Sequence, residues 1–291
     1  MQTMPRCRQR DALCGPWDGY RHGAHRVHKE VPRPADLTPS PLEESVEGLD
    51  RAFIDLHCHT SASFDSLASP GDVVRAAARR GLTHLAVTDH DRIDGALRAR
   101  DAAPDGLAII VGEEVTTSDG DLIAVFLERA VPPGLSAVDT IADIREQGGL
   151  VGVPHPFDRS RGYGRTSGAQ LEDIADKVDW IEAYNARVVG GSANEQAAIF
   201  AREHKLPGVC ASDSHTVLEV GVSYNVFLGD PSTPAGFLAA LASVDIRPGH
   251  ASSHVRAWTP LAKLIQSTRG NDRRRAKPRR GGAHVTEEQE H

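Results

Sequence analysis

Across the middle of the chain, short apolar runs alternate with amphipathic segments, and most of the runs give out into histidine or carboxylate residues. The runs Phe53 to Leu56, His84 to Thr88, Ala108 to Val111, Leu122 to Phe126, Leu150 to Val153, Trp180 to Tyr184, Gly208 to Ala211 and Tyr224 to Leu228 have the length and composition of strands. Between them, Ser69, Pro70 and Asp72 form a helix start, with a capping serine, proline at the first helical position and an early acid, and Gly81 stops the helix after Arg79 and Arg80. Ser136 to Gln147, Ser192 to His204 and Thr233 to Ser243 give further helices. Strand–helix units of this kind predict an α/β fold of parallel strands with helical crossovers, as an open doubly wound sheet or a closed barrel.

The flanks differ. Residues 1–51 are rich in Pro, Arg, His and Glu without a core-forming period, and residues 267–291 carry Arg273 to Arg275, Lys277, Arg279 and Arg280 before an acidic close. Both read as disordered extensions of a domain spanning 52–266, and His22, His25 and His28 read as solvated rather than metal-binding. With 33 Lys and Arg against 40 Asp and Glu the net charge is -7, which excludes a molecule-wide nucleic-acid footprint and leaves room for a local basic groove. No apolar run approaches the roughly 20 residues of a membrane helix, and residues 1–30 lack the apolar core of a signal peptide, so a cytoplasmic protein without membrane contact is expected. Cys7, Cys14, Cys58 and Cys210 are scattered, with neither a disulfide framework nor zinc-finger spacing.

The placement of histidines and acids is the informative feature. Asp55, His57 and His59 follow the first run; Asp89, His90 and Asp91 the second; Glu113 and Glu114 the third; His155 a later one; Asp213 and His215 another. In a parallel architecture the ends of the strands share one face, so residues remote in sequence converge there. His57 and His59, two apart on an extended strand, point to one side and can chelate one ion, and Asp213 and His215 share that spacing. Gathering such groups without a cation would cost many kcal/mol in unpaired buried charge. About eight nitrogen and oxygen donors exceed one tetrahedral sphere, which favours two or three divalent ions sharing a carboxylate. His84, His204, His250 and His254 lie away from this pattern and read as ordinary histidines.

In order and spacing, the segments Asp55 to Thr60, Thr88 to Asp91, Gly112 to Glu114, His155-Pro156 and Asp213 to His215 resemble the PHP (polymerase and histidinol phosphatase) superfamily over about Phe53 to Ile265. The resemblance implies a distorted (β/α)7 TIM-like barrel with a metal site at the C-terminal strand ends. It implies that His57, His59, Glu114 and Asp213 hold one ion, that Glu114 bridges to a second held by His155, and that Asp65, His90 and His215 hold a third. Asp121 stands where the family often has histidine. A carboxylate there is a harder ligand, so manganese, iron or magnesium compete with zinc. Glu113 and Glu114 point to opposite sides of a strand, and the family spacing favours Glu114 as the bridge. Asp89, Asp91, Glu182 and Asn185 are expected to orient imidazoles or touch substrate.

The function implied is a stand-alone phosphoesterase that hydrolyses a phosphate monoester or diester by metal-activated water. Its substrate would be a small phosphoester, a nucleotide or an oligonucleotide end, with Glu114 and His215 as the catalytic groups. Arg159, Arg161 and Arg165 follow His155 in a glycine-containing loop and are candidate phosphate clamps, because guanidinium forks match phosphate oxygens. Two other readings are an amidohydrolase-like metal hydrolase, disfavoured by the near absence of lysine from the strand runs, and a non-catalytic metal-binding accessory module.

Overall fold

The structure, a computed structural model, describes residues 50–159, 161, 163, 169–252, 255 and 258–272. The strands are β1 (Arg51–Asp55), β2 (His84–Val87), β3 (Ala108–Thr116), β4 (Asp121–Val125), β5 (Leu150–Val153), β6 (Trp180–Asn185), β7 (Gly208–Ala211), β8 (Tyr224–Leu228) and β9 (Asp245–Arg247). The helices are α1 (Pro70–Arg79), α2 (Asp94–Asp101), α3 (Ala137–Glu146), α4 (Ala169–Glu172), α5 (Gly191–Glu203), α6 (Pro234–Leu241) and α7 (Trp258–Thr268). The predicted starts are realised by side chains: Ser69 and Ser136 each accept a hydrogen bond from the backbone N–H three residues on, both at 3.1 Å, and Thr233 caps α6 in the same way.

Strand order is β7-β6-β5-β4-β3-β2-β1-β8-β9. β1, β2 and β3 pair in parallel, as do β5, β6 and β7, with helical crossovers between successive strands. The sevenfold strand–helix count is not what the strands display. β3 and β4 form an antiparallel hairpin, with Glu114 opposite Ile123 and Thr116 opposite Asp121, and β4 also runs antiparallel to β5. The connection between β3 and β4 is too short for a crossover helix, which needs a dozen or more residues. β8 and β9 then extend the sheet antiparallel beyond β1. The barrel-shaped α/β class expected from the sequence is borne out, and α2, α4, α7 and β9 are elements the sequence pattern did not single out.

Alternate residues of the strands form two layers. Ile54, Ile110, Ile123, Trp180 and Val209 pack in one cluster with Phe237 of α6, while Leu85, Val87, Val111, Leu122 and Val151 belong to the cluster that includes Val73 and Val74 of α1 and Ala96 of α2. Gly152, opposite Trp180 across β5 and β6, gives the indole its space, since a Cβ there would run into the Trp180 ring. On β3 this alternation puts Glu114 on the side of Ile110 and sends Glu113 to the other.

The ring is brought nearly to closure by polar groups. Just past the ends of β1 and β7, Cys58 and Ser214 form a parallel bridge, and the His59 N–H donates to the Ser214 carbonyl at 2.8 Å. Asn225 of β8, fully buried, acts as an extra peptide unit beside β7: its Oδ1 accepts the Cys210 N–H at 2.9 Å and its Nδ2 donates to the Cys210 carbonyl at 2.7 Å. Asp55 accepts from the Ser212 hydroxyl and from the N–H groups of Ser212 and Gly221, tying β1 to the segment after β7. Among the described residues no helix is long and apolar enough to cross a membrane.

This arrangement predicts the effect of Asn225→Leu. Two buried backbone groups of Cys210 would lose their partner, so unfolding in urea should show a loss of about 3 kcal/mol. An unchanged midpoint would show that the amide does not hold the two strands together.

Candidate metal centre

The strand ends deliver their donors to one buried place. Glu114 Oε2 lies 3.2 Å from His57 Nε2, 3.3 Å from His59 Nε2 and 3.2 Å from His90 Nδ1, while its Oε1 lies 3.2 Å from His155 Nε2. Asp213 Oδ1 stands 3.7 Å from His57 Nε2 and 3.5 Å from each of His59 Nε2 and His215 Nδ1. Asp65 Oδ2 approaches His90 Nε2 at 3.4 Å and His215 Nε2 at 3.2 Å. Two groups therefore overlap at His59: His57, His59 and Glu114, and His59, Asp65, His90 and His215, with the donor atoms of each group within 4.8 Å of one another.

These atoms converge on common points more than they bond to each other, and that fits cation binding. Asp65 Oδ1, His90 Nδ1, His155 Nδ1 and Asp213 Oδ1 are buried without a hydrogen-bond partner, and the Nε2 atoms of His57 and His59 face each other at 2.9 Å. Meanwhile the opposite ring nitrogens are held. His57 Nδ1 pairs with Glu182 Oε1 at 2.7 Å, His59 Nδ1 with Ser63 Oγ at 3.0 Å, and His215 Nδ1 with the Asp213 carbonyl at 2.8 Å. Fixing Nδ1 leaves Nε2 as the free donor, the usual arrangement around a metal-ligating imidazole. Glu182 also accepts the His155 N–H at 2.9 Å and a hydrogen bond from Asn185 Nδ2, so one carboxylate orders two strand ends.

Backbone strain appears here too. His155 and Asp213 have φ of 28° and 51°, in the left-handed region that non-glycine residues enter at a cost, and both carry candidate ligands.

The electrostatics are those of a cation site. Burial opposes charge on His57, but the carboxylates of Glu182, Asp213 and Glu114 outweigh it and hold its pKa well above the histidine range. For His59 burial is likewise outweighed, by Asp213 and Glu114, and its pKa rises to about 9. Burial would raise the carboxyl pKa values, yet His215 and His90 hold Asp65 low, His90 and His57 hold Glu114 low, and Arg161 and His57 hold Asp213 low. His215 is the exception: burial prevails over Asp65 and pushes it down to about 4, leaving a neutral imidazole.

Beside the donors lies a cavity of about 650 Å³ bordered by Asp65, His215, Arg159, Arg161, Arg187 and Lys263. Arg161 Nη1 donates to Asp213 Oδ2 at 2.6 Å, and Asp213 and Asp158 hold its charge against burial. Arg187 donates from Nη1 to Glu219 at 2.8 Å and from Nη2 to Thr259 at 2.6 Å, and Glu219 in turn accepts the His215 N–H. A second cavity of about 340 Å³, reaching the same Asp65 and His215, is lined by Leu67, Ala68, Val217 and Trp258.

Of the residues singled out from the sequence, His57, His59, Asp65, His90, Glu114, His155, Asp213 and His215 are brought together. Glu113 turns away, its Oε2 accepting the Val131 N–H at 2.9 Å. Asp121 is buried at the start of β4, and its charge is felt at the Tyr163 phenol; it stands in neither overlapping donor group. Asn185 is engaged with Glu182 and Asp213. Asp89 accepts from the N–H groups of Thr60 and Ser63, and Asp91 from that of Thr116, so both shape loops. Arg159 is exposed at the basic cavity, and Arg165 lies outside the described residues, as do His22, His25, His28 and His254. His84 bonds Ser232, His204 pairs with Glu172 and His250 with Tyr184, all apart from the donor groups. Ser63, Arg187, Glu219 and Lys263 carry no motif in the sequence. Only the neighbourhood of Ser63 to the H-x-H pair could have drawn attention to it.

Two family models match the chain: the PHP domain over residues 55–130 and the PHP-associated domain over residues 180–244. An uncharacterised protein of Methanocaldococcus jannaschii is 32% identical over 154 residues, covering 49% of this chain and 87% of that protein. An error-prone DNA polymerase of Cutibacterium acnes is 39% identical over 100 residues, which are 34% of this chain and 8% of the polymerase. In fold, the chain is similar to the crystal structure of a two-domain protein of Bacteroides vulgatus containing a predicted PHP-like metal-dependent phosphoesterase. The TM-score is 0.60 at 18% identity, covering 75% of this chain and 71% of that one.

A pH dependence of metal uptake follows from the raised histidines. With His59 at about 9, the metal-free site carries imidazolium at neutral pH, and an ion must displace that proton. Calorimetry with Mn²⁺ in buffers of different ionisation enthalpy should show proton release at pH 7. Affinity should rise about tenfold per pH unit from pH 6 to 8 for each proton displaced. Uptake independent of pH and buffer would contradict this assignment of charge.

Proposed function

We propose, for a chain that belongs to the PHP family, that it is a phosphoesterase in which two or three divalent ions activate water against a phosphate monoester or diester. The observation that carries this reading is the overlap of two buried donor groups at His59, next to a cavity edged with arginine and lysine. His57, His59, Glu114 and Asp213 would hold one ion, Glu114 and His155 a second, and Asp65, His90 and His215 a third, with Asp121 as a more distant candidate. Zinc, manganese and iron all suit such a mixed imidazole and carboxylate set. When bound, such ions act as Lewis acids, lower the pKa of a coordinated water to near 7 and offset charge on phosphate oxygens.

The protein's own groups supply the rest. Glu114 lies between both donor groups and is the carboxylate able to serve more than one ion. Glu182 fixes the ring of His57 and the backbone of His155. His215, tethered through Nδ1 to the Asp213 carbonyl and held neutral by burial, has only Nε2 to turn toward an ion, which suits a ligand better than the leaving-group acid expected from the sequence. Arg159 and Lys263 offer charge to an anionic substrate at the cavity, while Arg161 divides its guanidinium between Asp213 and Asp158. Asn185, which donates to Glu182 and to Asp213, would orient the ligands from behind, one of the two roles expected of it beside substrate contact. A phosphorylated small molecule, a nucleotide or an oligonucleotide end all present the phosphate this cavity suits.

The test is hydrolysis of a panel of phosphomonoesters, phosphodiesters and short oligonucleotides by manganese-, iron- and zinc-loaded protein, with Glu114→Gln and Glu113→Gln as the paired variants. Glu114→Gln should lower turnover by about three orders of magnitude with the fold retained. Glu113→Gln, one residue away and facing Val131, should remain within about threefold of the parent. Full activity in both variants, or no phosphate release with any substrate and metal, would overturn the catalytic reading and leave a metal-binding module.

A further inference from the structure

Helix α7 is amphipathic in an unusual sense. It leaves Trp258, Leu261 and Leu264 exposed, and its buried residues are Ala262 and Gln266. A helix that turns leucines outward and a glutamine inward is anchored by what the amide bonds rather than by apolar burial. Gln266, 2% exposed, directs Nε2 at the carbonyls of Ser61, Ser63 and Ser66, at 2.8, 3.0 and 2.7 Å. Just beyond the helix, Asn271 Nδ2 reaches the carbonyls of Ala62 at 2.8 Å and Ser63 at 3.2 Å, and Arg92 Nη1 meets the Ala62 carbonyl at 3.1 Å. The chain segment so gripped carries Asp65. Its other edge is held by Asp89, which accepts the N–H groups of Thr60 at 2.6 Å and Ser63 at 3.2 Å.

The opposite end of α7 reaches the partner of Asp65. Thr259 accepts from Arg187, Arg187 pairs with Glu219, and Glu219 accepts the backbone N–H of His215. Ser66 Oγ closes the circuit by donating to the His215 carbonyl at 2.9 Å. Asp65 and His215, 3.2 Å apart at Oδ2 and Nε2, are thus both suspended from one helix that contributes no donor of its own to the cluster.

We propose that Gln266 and Asn271 are positioning residues for the Asp65 half of the metal centre: α7 governs the affinity of the ion held by Asp65, His90 and His215 far more than that of the ion at His57 and Glu114, which feels the helix only through the contact of Ser63 with His59. This rests on the metal-centre reading above. It also places the functional limit of the domain past residue 266, where the sequence pattern ends.

The experiment is titration of the full chain with Mn²⁺, counting bound ions by electron paramagnetic resonance and measuring each affinity by calorimetry. The proteins are the parent, Asp65→Ala, Gln266→Glu, Asn271→Ala and the double variant Asp65→Ala with Gln266→Glu. Gln266→Glu sets carboxylate oxygens against three carbonyls and should weaken the ion lost in Asp65→Ala at least tenfold, leaving the others within threefold. The double variant should bind no worse than Asp65→Ala alone, because both changes act on one ion; a general loss of stability would add instead. If Gln266→Glu does not fold, Asn271→Ala carries the test, with weakening of the same ion by at least threefold. Parent-like binding in the Gln266 and Asn271 variants while Asp65→Ala loses an ion overturns this inference alone. Equal weakening of the ions that Asp65→Ala retains, or an Asp65→Ala that keeps every ion, overturns it as well. A parent protein that takes up no Mn²⁺ removes the metal-centre reading and this inference with it.

Discussion

Glu114 is a buried carboxylate within 3.3 Å of nitrogen atoms from four histidines, and much of the structure serves that contact. An unpaired carboxylate in such a place would cost many kcal/mol, so the folded state needs positive charge around it, from protons or from metal ions. The contact also explains why the imidazoles are held from behind. Glu182, Ser63 and the Asp213 carbonyl each occupy the Nδ1 of one ring and leave Nε2 turned inward. Three different kinds of acceptor thereby do the same work on three rings of two segments.

Bringing those segments together is a matter of closing the sheet. The donors follow β1, β2, β5 and β7 or lie within β3, so a gap between β1 and β7 would part His57 and His59 from Asp213 and His215. The gap is bridged by side chains standing in for backbone: the Asn225 amide against Cys210, and Asp55 against Ser212 and Gly221. At the same rim, His155 and Asp213 adopt left-handed backbone, a local cost tolerated where it aims a side chain. The polar ties at this rim thus support the strain beside them.

Much of the centre was legible in the sequence because strand ends are a local property. His57 and His59 announce themselves by spacing, Asp213 and His215 likewise; the alternation of a strand lets only one of Glu113 and Glu114 face the site, and the family's spacing pointed to Glu114. What was not legible depends on contacts across long separations. Gln266 meets Ser61 about two hundred residues away, and no periodicity in α7 marks its amide as different from any surface glutamine. Arg187 and Glu219 reach His215 by a relay in which each residue alone looks like a surface charge. The β3–β4 hairpin stands outside the strand–helix pattern: Ser118, Asp119 and Gly120 are a turn signal between two strand runs too close for a crossover. The antiparallel β4 begins at the rim where β3 ends, so the hairpin keeps the candidate donors on one face.

The most direct measurement of the central claim is a crystal structure of the protein grown with Mn²⁺ and recorded at the manganese absorption edge. The account predicts two or three anomalous peaks inside the barrel rim. One should lie among His57, His59, Glu114 and Asp213, with the others in contact with His155 or with Asp65, His90 and His215. Fully folded protein with no anomalous density there, or with ions only at surface carboxylates, would contradict it.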